Sequence, residues 1–111
     1  MRAISHPVRE QLSLPGVLHA LSDPVRLEIV RALAQGTETS CGALGVPVSK
    51  STLSHHLKVL RDAGVTRTRA EGVHRFVSLR AADIDAVFPG LLGCVLEQSS
   101  RPVSRAASRH V

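Results

Sequence analysis

The stretch from Ser49 to Gly64, Ser-Lys-Ser-Thr-Leu-Ser-His-His-Leu-Lys-Val-Leu-Arg-Asp-Ala-Gly, constrains the fold more than any other part of the chain. Leu53, Leu57 and Leu60 recur at i, i+4 and i+7, Ser49 is suited to cap the amino end and Gly64 to supply a left-handed stop, so an amphipathic helix is predicted. At about 100° per residue the leucines gather on one side, while Ser51, Ser54, His55, Lys58 and Arg61 spread over the other. That outer face carries hydroxyls, an imidazole and cations, with Asp62 as its one carboxylate and no large apolar group. Such a face suits the major groove of duplex DNA, where cations and hydroxyls meet phosphates and longer donors reach base edges. An ordinary solvated helix would look similar in isolation, so the neighbouring sequence has to decide.

Charge is the first discriminator. The formal net charge of the 111 residues is +5, and the window from Ser49 to Arg80 holds seven cations (Lys50, Lys58, Arg61, Arg67, Arg69, Arg75, Arg80) against two anions, Asp62 and Glu71. The whole excess therefore lies in that window, as a phosphate-binding surface requires and solubility does not. Aromatic residues are scarce, Phe76 and Phe88 with neither Trp nor Tyr, which argues against stacking platforms for single strands. Two cysteines, Cys41 and Cys94, cannot build a disulfide framework, and no apolar run approaches the roughly 20 residues of a membrane span, so a cytoplasmic protein with no membrane partner is expected.

The length suits one domain, small enough to gain from burying a partner's surface. Residues 1–13 are mixed and polar and read as a flexible arm or a partial first turn; residues 14–98 carry the folded domain; residues 99–111 have the composition of a disordered basic tail. Pro15 to Leu21 gives a short first helix. Asp23 as cap and Pro24 at the first helical position start a second, which runs to about Gln35 with Arg26, Glu28 and Arg31 on its wet side. A short third helix around Ser40 to Leu44 ends at Gly45 and Pro47, so a helix-turn-helix results. Val65–Arg69 and His74–Leu79 alternate as the strands of a hairpin turning at residues 70–73, with either Val77 and Leu79 or Phe76 facing inward. Ile84, Val87, Phe88, Leu91, Leu92, Val95 and Leu96 trace a last helical stripe, which Pro89-Gly90 should kink or split. A symmetric partner is the economical cover for so wide a stripe. The fold class is thus mostly α with a small β-hairpin wing, in the order α-α-α-α-β-β-α.

That order is the order of a winged helix-turn-helix, and two stretches make the likeness specific. Leu21-Ser-Asp-Pro-Val-Arg-Leu-Glu-Ile-Val-Arg-Ala-Leu33 and Ser51-Thr-Leu-Ser-His-His-Leu-Lys-Val-Leu-Arg-Asp-Ala-Gly64 resemble the paired signatures of the ArsR/SmtB family of bacterial repressors, over roughly residues 14 to 96. The resemblance implies a homodimeric repressor that binds a palindromic operator in double-stranded DNA and is released by an inducer, often a metal ion. It implies that Ser51, Thr52, Ser54 and His55 face the groove and that Arg69 to Arg75, including His74, form the wing. It also implies a dimer interface made by the first and last helices, for which Val17, Leu18, Leu21, Phe88, Leu91, Leu92 and Val95 are the candidates. From the residues themselves, Ser49 marks the helix start, Lys50 and Lys58 are expected to hold phosphates, and His55 and Ser54 are candidates for base contact. His56 lies on the flank of the leucine face and is expected to pack inward.

The inducer is less legible. Metal-sensing members of the family use a Cys-x-Cys box on the third helix, whereas Ser40 and Gly42 flank Cys41 here; Asp83, Asp85 and Glu97 are weak alternative ligands, without the imidazoles zinc prefers. No cofactor is therefore expected. Oxidation or persulfidation that ties Cys41 to Cys94 is a second route, against the simpler fate of two small hydrophobes. An enzyme is not expected, because no nucleophile elbow, phosphate loop or His-Glu-x-x-His motif occurs and His55 and His56 diverge by about 100° on a helix. A constitutive DNA-binding regulator and a basic protein-interaction module are the remaining alternatives.

Overall fold

A computed structural model describes residues 4–36 and 38–99 of the chain. Helix α1 (Leu14–Ala20) is capped by Ser13, and α2 (Pro24–Ala34) by Asp23, whose carboxylate accepts from the backbone N–H groups of Val25 and Arg26. A two-residue strand β1 (Thr39–Ser40) leads into a 3-10 turn, Cys41–Ala43, and then to α3 (Lys50–Asp62). Strands β2 (Thr66–Glu71) and β3 (His74–Leu79) come next, then α4 (Ala81–Val87) and α5 (Leu91–Ser99). The antiparallel sheet has the order β1-β3-β2.

The predicted winged helix-turn-helix is present, with local corrections. The third helix shrinks to a single 3-10 turn, because Thr39 and Ser40 are drawn into pairing with Val77 and Phe76 and Gly42 weakens the helix beyond them. The hairpin turn is tighter than predicted: Ala70 and Glu71 belong to β2, leaving Gly72-Val73 as a two-residue loop. Gly72 has φ +61° and Val73 a negative φ, the combination that a type II′ loop requires and only glycine adopts freely at its first position. Register settles the open choice of inward side chain, since Val77 is buried while Phe76 and Leu79 are half-buried. Pro89-Gly90 does split the terminal helix. Of the basic tail expected over residues 99–111, Ser99 ends α5 and the rest lies outside the described residues.

One core serves the chain. Ile29, Val30 and Leu33 from α2 meet Leu57 and Leu60 from α3, Val77 from β3, Ile84 from α4 and Leu92 from α5. Burying each of these aliphatic side chains contributes about 1.5–3 kcal/mol. Val17, Leu21 and Leu92, predicted for the dimer interface, are part of this core, Val17 being 0% exposed. A seven-residue α1 has one inward edge, and Val17, Ala20 and Leu21 lie along it; Leu14 and Leu18 point out. Phe88, Leu91 and Val95 remain half-buried.

Residues 4–13, read from sequence as a flexible arm or a partial first turn, form a 3-10 turn at Arg9–Gln11 and lie against the body. Leu12 is buried, the backbone N–H of Thr68 donates to Nε2 of His6 (3.0 Å), and Arg80 donates to the carbonyl of Pro7 (2.7 Å). Arg80 also pairs with Asp83 (2.9 Å), which Arg9 reaches from the arm (2.9 Å). Hydrogen bonds from Arg80 and Arg9 hold the Asp83 carboxyl below the usual carboxylate range. Gly64 ends α3 with φ +85°, and a Cβ there would come within 2.0 Å of a Leu12 methyl and 3.3 Å of Pro7. Two demands therefore meet at one glycine, a left-handed backbone and a close approach by the arm.

Gly64→Ala is expected to cost about 2–4 kcal/mol in chemical denaturation, combining left-handed strain with the clash. The same substitution in a Leu12→Ala background should cost measurably less. His6 yields a pH dependence with a definite sign. Burial, then Arg67, Arg80 and Arg61, lower its pKa from 6.5, so below pH 6.5 the unfolded chain binds the proton more readily. Stability is accordingly expected to fall as pH drops from 6.5 through the lowered value. His6→Gln should flatten that part of the stability profile.

Candidate nucleic-acid interface

Every outward residue of the first two turns of α3 is accessible: Ser49, Lys50, Ser51, Thr52, Ser54, His55 and, one turn on, Lys58. The cap is built from hydroxyls. Ser49 Oγ accepts from the Thr52 backbone N–H (3.2 Å), donates to Thr52 Oγ1 (3.0 Å) and lies 3.3 Å from Ser51 Oγ. This leaves the earliest N–H groups of a 13-residue helix facing outward, where an anion is favoured. Lys58 pairs with Asp62 one turn later (2.7 Å), an exposed i,i+4 contact weak enough to be exchanged for a phosphate.

The wing stands beside this helix. Arg67, Arg69, His74 and Arg75 are exposed on it, and Val73 at its tip is 94% exposed. Arg69 is not free: Nε and Nη2 donate to the two oxygens of Glu38 (2.9 and 2.8 Å), Nη1 pairs with Glu71, and the guanidinium lies 4.8 Å from the centre of the Phe76 ring. The Arg69 hydrogen bonds hold the Glu38 carboxyl low, and the Glu38 and Glu71 contacts raise the guanidinium pKa further. Glu38 thereby fixes the wing to the segment that enters the helix-turn-helix. Between α3, the 3-10 turn and the wing opens a groove of about 830 Å³.

The residue that sequence reasoning misplaces is Arg26. The wet side of α2 is its expected position, yet it is buried, its guanidinium donating to the carbonyls of Ala20 (2.7 Å) and His19 (3.3 Å) and to Nδ1 of His56 (3.1 Å). Guanidinium has no acceptor, so Nδ1 of His56 accepts, leaving the ring hydrogen on Nε2. Asp23 Oδ2 lies 3.8 Å from the same nitrogen. Burial pushes the Asp23 carboxyl up, but the N–H groups of Arg26 and Val25 and the Arg26 charge outweigh it and hold it below its ordinary value. One signal is present in the sequence: positions 26, 29, 30 and 33 follow i, i+3, i+4, i+7, which puts Arg26 on the buried stripe with Ile29, Val30 and Leu33. His56 faces inward as expected, and His55 faces out.

The remaining candidates are scattered. Cys41 is half-buried beside the groove, and burial raises its thiol pKa; Cys94 on α5 is exposed. Asp83 is engaged by Arg9 and Arg80, and among the described residues no three or more His, Cys, Asp or Glu side chains converge as a metal site. No helix among the described residues is long and apolar enough to cross a membrane.

Arg26→Met is expected to destabilise the fold by about 2–4 kcal/mol, because two carbonyls and an imidazole nitrogen lose a charged donor. His56→Ala in that background should add less than it does alone, a coupling that a double-mutant cycle of denaturation midpoints measures.

Comparison with known proteins agrees with this geometry. The helix-turn-helix domain family matches residues 21–69. The chain is 43% identical over 79 residues to the HTH-type transcriptional regulator YceK of Bacillus subtilis, covering 68% of this chain and 79% of that protein. It is 37% identical to the arsenical resistance operon repressor of Staphylococcus aureus, over 70% and 76% of the two chains. Among solved structures, an ArsR family transcriptional regulator superposes with a TM-score of 0.62 at 25% identity, covering 88% of this chain and all of that one. The transcriptional repressor BigR from Xylella fastidiosa gives 0.57 at 33% identity, over 68% and 85%. With the two signature stretches placed on α2 and α3 and the hairpin beside them, the chain belongs to the ArsR/SmtB family of winged helix-turn-helix transcriptional regulators, DNA-binding proteins and not enzymes.

Proposed function

We propose that this regulator is a homodimeric repressor that reads a palindromic operator with α3 and releases it on an inducer signal. The observation that carries the reading is the division of α3: Leu57 and Leu60 are buried, while the opposite face exposes hydroxyls, His55 and two lysines beside a wing of arginines. In this reading Lys50, Lys58 and the α3 amino end hold phosphates, Ser51, Thr52, Ser54 and His55 reach base edges, and Arg75 and His74 approach the minor groove. Arg69 positions the wing through Glu38. The partner copy covers the outward edge of α1, where Leu18 is 44% exposed, and the half-buried Leu91 and Val95 of α5. The setting is the cytoplasm.

The thiols favour one order of events if the signal is oxidative. Exposed Cys94 is the first to react, since burial withholds the thiolate at Cys41. Metal release has less support, because Asp83 already serves two arginines and its neighbours supply no third donor among the described residues.

The test is a mobility shift on the DNA upstream of the protein's own coding region, with competitor DNA and a salt series. A complex of two chains on dyad half-sites about one helical turn apart is expected. Lys58→Ala should weaken operator and random DNA alike and reduce the log–log salt slope by about one, whereas His55→Ala should lose about 1–3 kcal/mol of discrimination. Equal losses on both DNAs for both variants would remove His55 from base reading. Binding that competitor DNA abolishes would remove the operator.

A further inference from the structure

The groove between α3 and the wing has a composition that a DNA backbone does not explain. Lys50, Lys58, Arg61 and Arg75 line it, with His74 beside them, and no Asp or Glu among the described residues belongs to its lining. A phosphate strand would use those cations. It would make no use of the floor, where Leu53, Leu57 and Cys41 present apolar surface.

One polar group in that floor is unsatisfied. Thr68 lines the groove, is 6% exposed, and its Oγ1 is buried without a hydrogen-bond partner. Leaving a hydroxyl in that condition costs about 1–3 kcal/mol, which a ligand oxygen would recover once rotation of the Thr68 side chain brings Oγ1 to the groove. The volume, about 830 Å³, lies within the usual range of small-molecule sites, roughly 300–1,000 Å³.

We propose that this groove binds an amphiphilic carboxylate, its head held by the rim cations and the Thr68 hydroxyl and its hydrocarbon part laid over Leu53 and Leu57. Charge complementarity selects the anion, since four cations line the site and the carboxylate that pairs with Lys58, Asp62, is an exposed partner outside the lining. The leucine floor selects a hydrocarbon tail over a bare ion. Occupancy withdraws Lys50, Lys58 and Arg75 from DNA, so the ligand and the operator exclude each other. That last consequence rests on the DNA-binding reading above; ligand binding itself does not.

The test is calorimetric titration of the full chain, without DNA, using decanoate below its micellar concentration. Acetate supplies the head without the tail, and decyltrimethylammonium the tail with the opposite charge. Decanoate is expected to bind once per chain and raise the melting temperature, and both controls to give no saturable heat. Arg75→Gln should weaken decanoate about tenfold, the loss of one charged hydrogen bond. Thr68→Val, which removes the orphan hydroxyl at constant shape, should weaken it about threefold or more without lowering the melting temperature of the free protein.

Absence of decanoate heat, a lowered melting temperature, or affinity unchanged in both variants overturns the proposal. Equal binding of decyltrimethylammonium overturns it as well. A mobility shift separates the two readings. Operator binding that decanoate does not disturb leaves the regulator reading intact and sinks the site, whereas variant-sensitive decanoate binding by a chain that never retards operator DNA upholds the site and sinks the regulator reading.

Discussion

The buried guanidinium of Arg26 joins three elements that otherwise touch mainly through aliphatic side chains. It takes the two carbonyls that end α1 and the inner imidazole of α3, while its own backbone N–H is capped by Asp23. Hydrophobic packing is non-directional and would allow α3 to roll on the leucine layer. Charge-assisted hydrogen bonds to fixed acceptors do not allow it. The outward direction of His55 is thus set from behind, by the residue next to it in sequence and a donor from another helix.

The wing is oriented by comparable means. Gly72 permits the two-residue loop, β1 adds a third strand beside β3, and Glu38 grips Arg69 from the connection between α2 and β1. On the far side the segment before α1 closes the structure, with Leu12 seated against Gly64 and His6 meeting an outward N–H of the β2 edge. An unpaired strand edge is a site for unwanted pairing, and His6 occupies part of this one.

Local rules make most of the architecture legible. Caps at Asp23 and Ser49, a stop at Gly64 and the break at Pro89-Gly90 each come from short-range chemistry. The features that are not legible depend on tertiary contact. A two-residue strand has no period to detect, and Thr39 and Ser40 pair only because β3 offers an edge. Residue type alone puts Arg26 in solvent, whereas its position on the α2 stripe points inward. Val17, Leu21 and Leu92 are plainly apolar, but periodicity does not distinguish a stripe that faces the same chain from one that faces a second copy. Residues 4–13 show no apolar periodicity, and beyond the turn at Arg9–Gln11 their order comes from Leu12, Pro7 and His6 finding partners far away in sequence.

Glu38 and Glu71 already occupy the arginine that the wing would otherwise offer to a duplex. Attachment at that point is then a trade of one anion for another, and fewer small ions are set free than a count of cations on the wing suggests. Both carboxylates sit within hydrogen-bond reach of that guanidinium, so any phosphate that takes it has first to displace them.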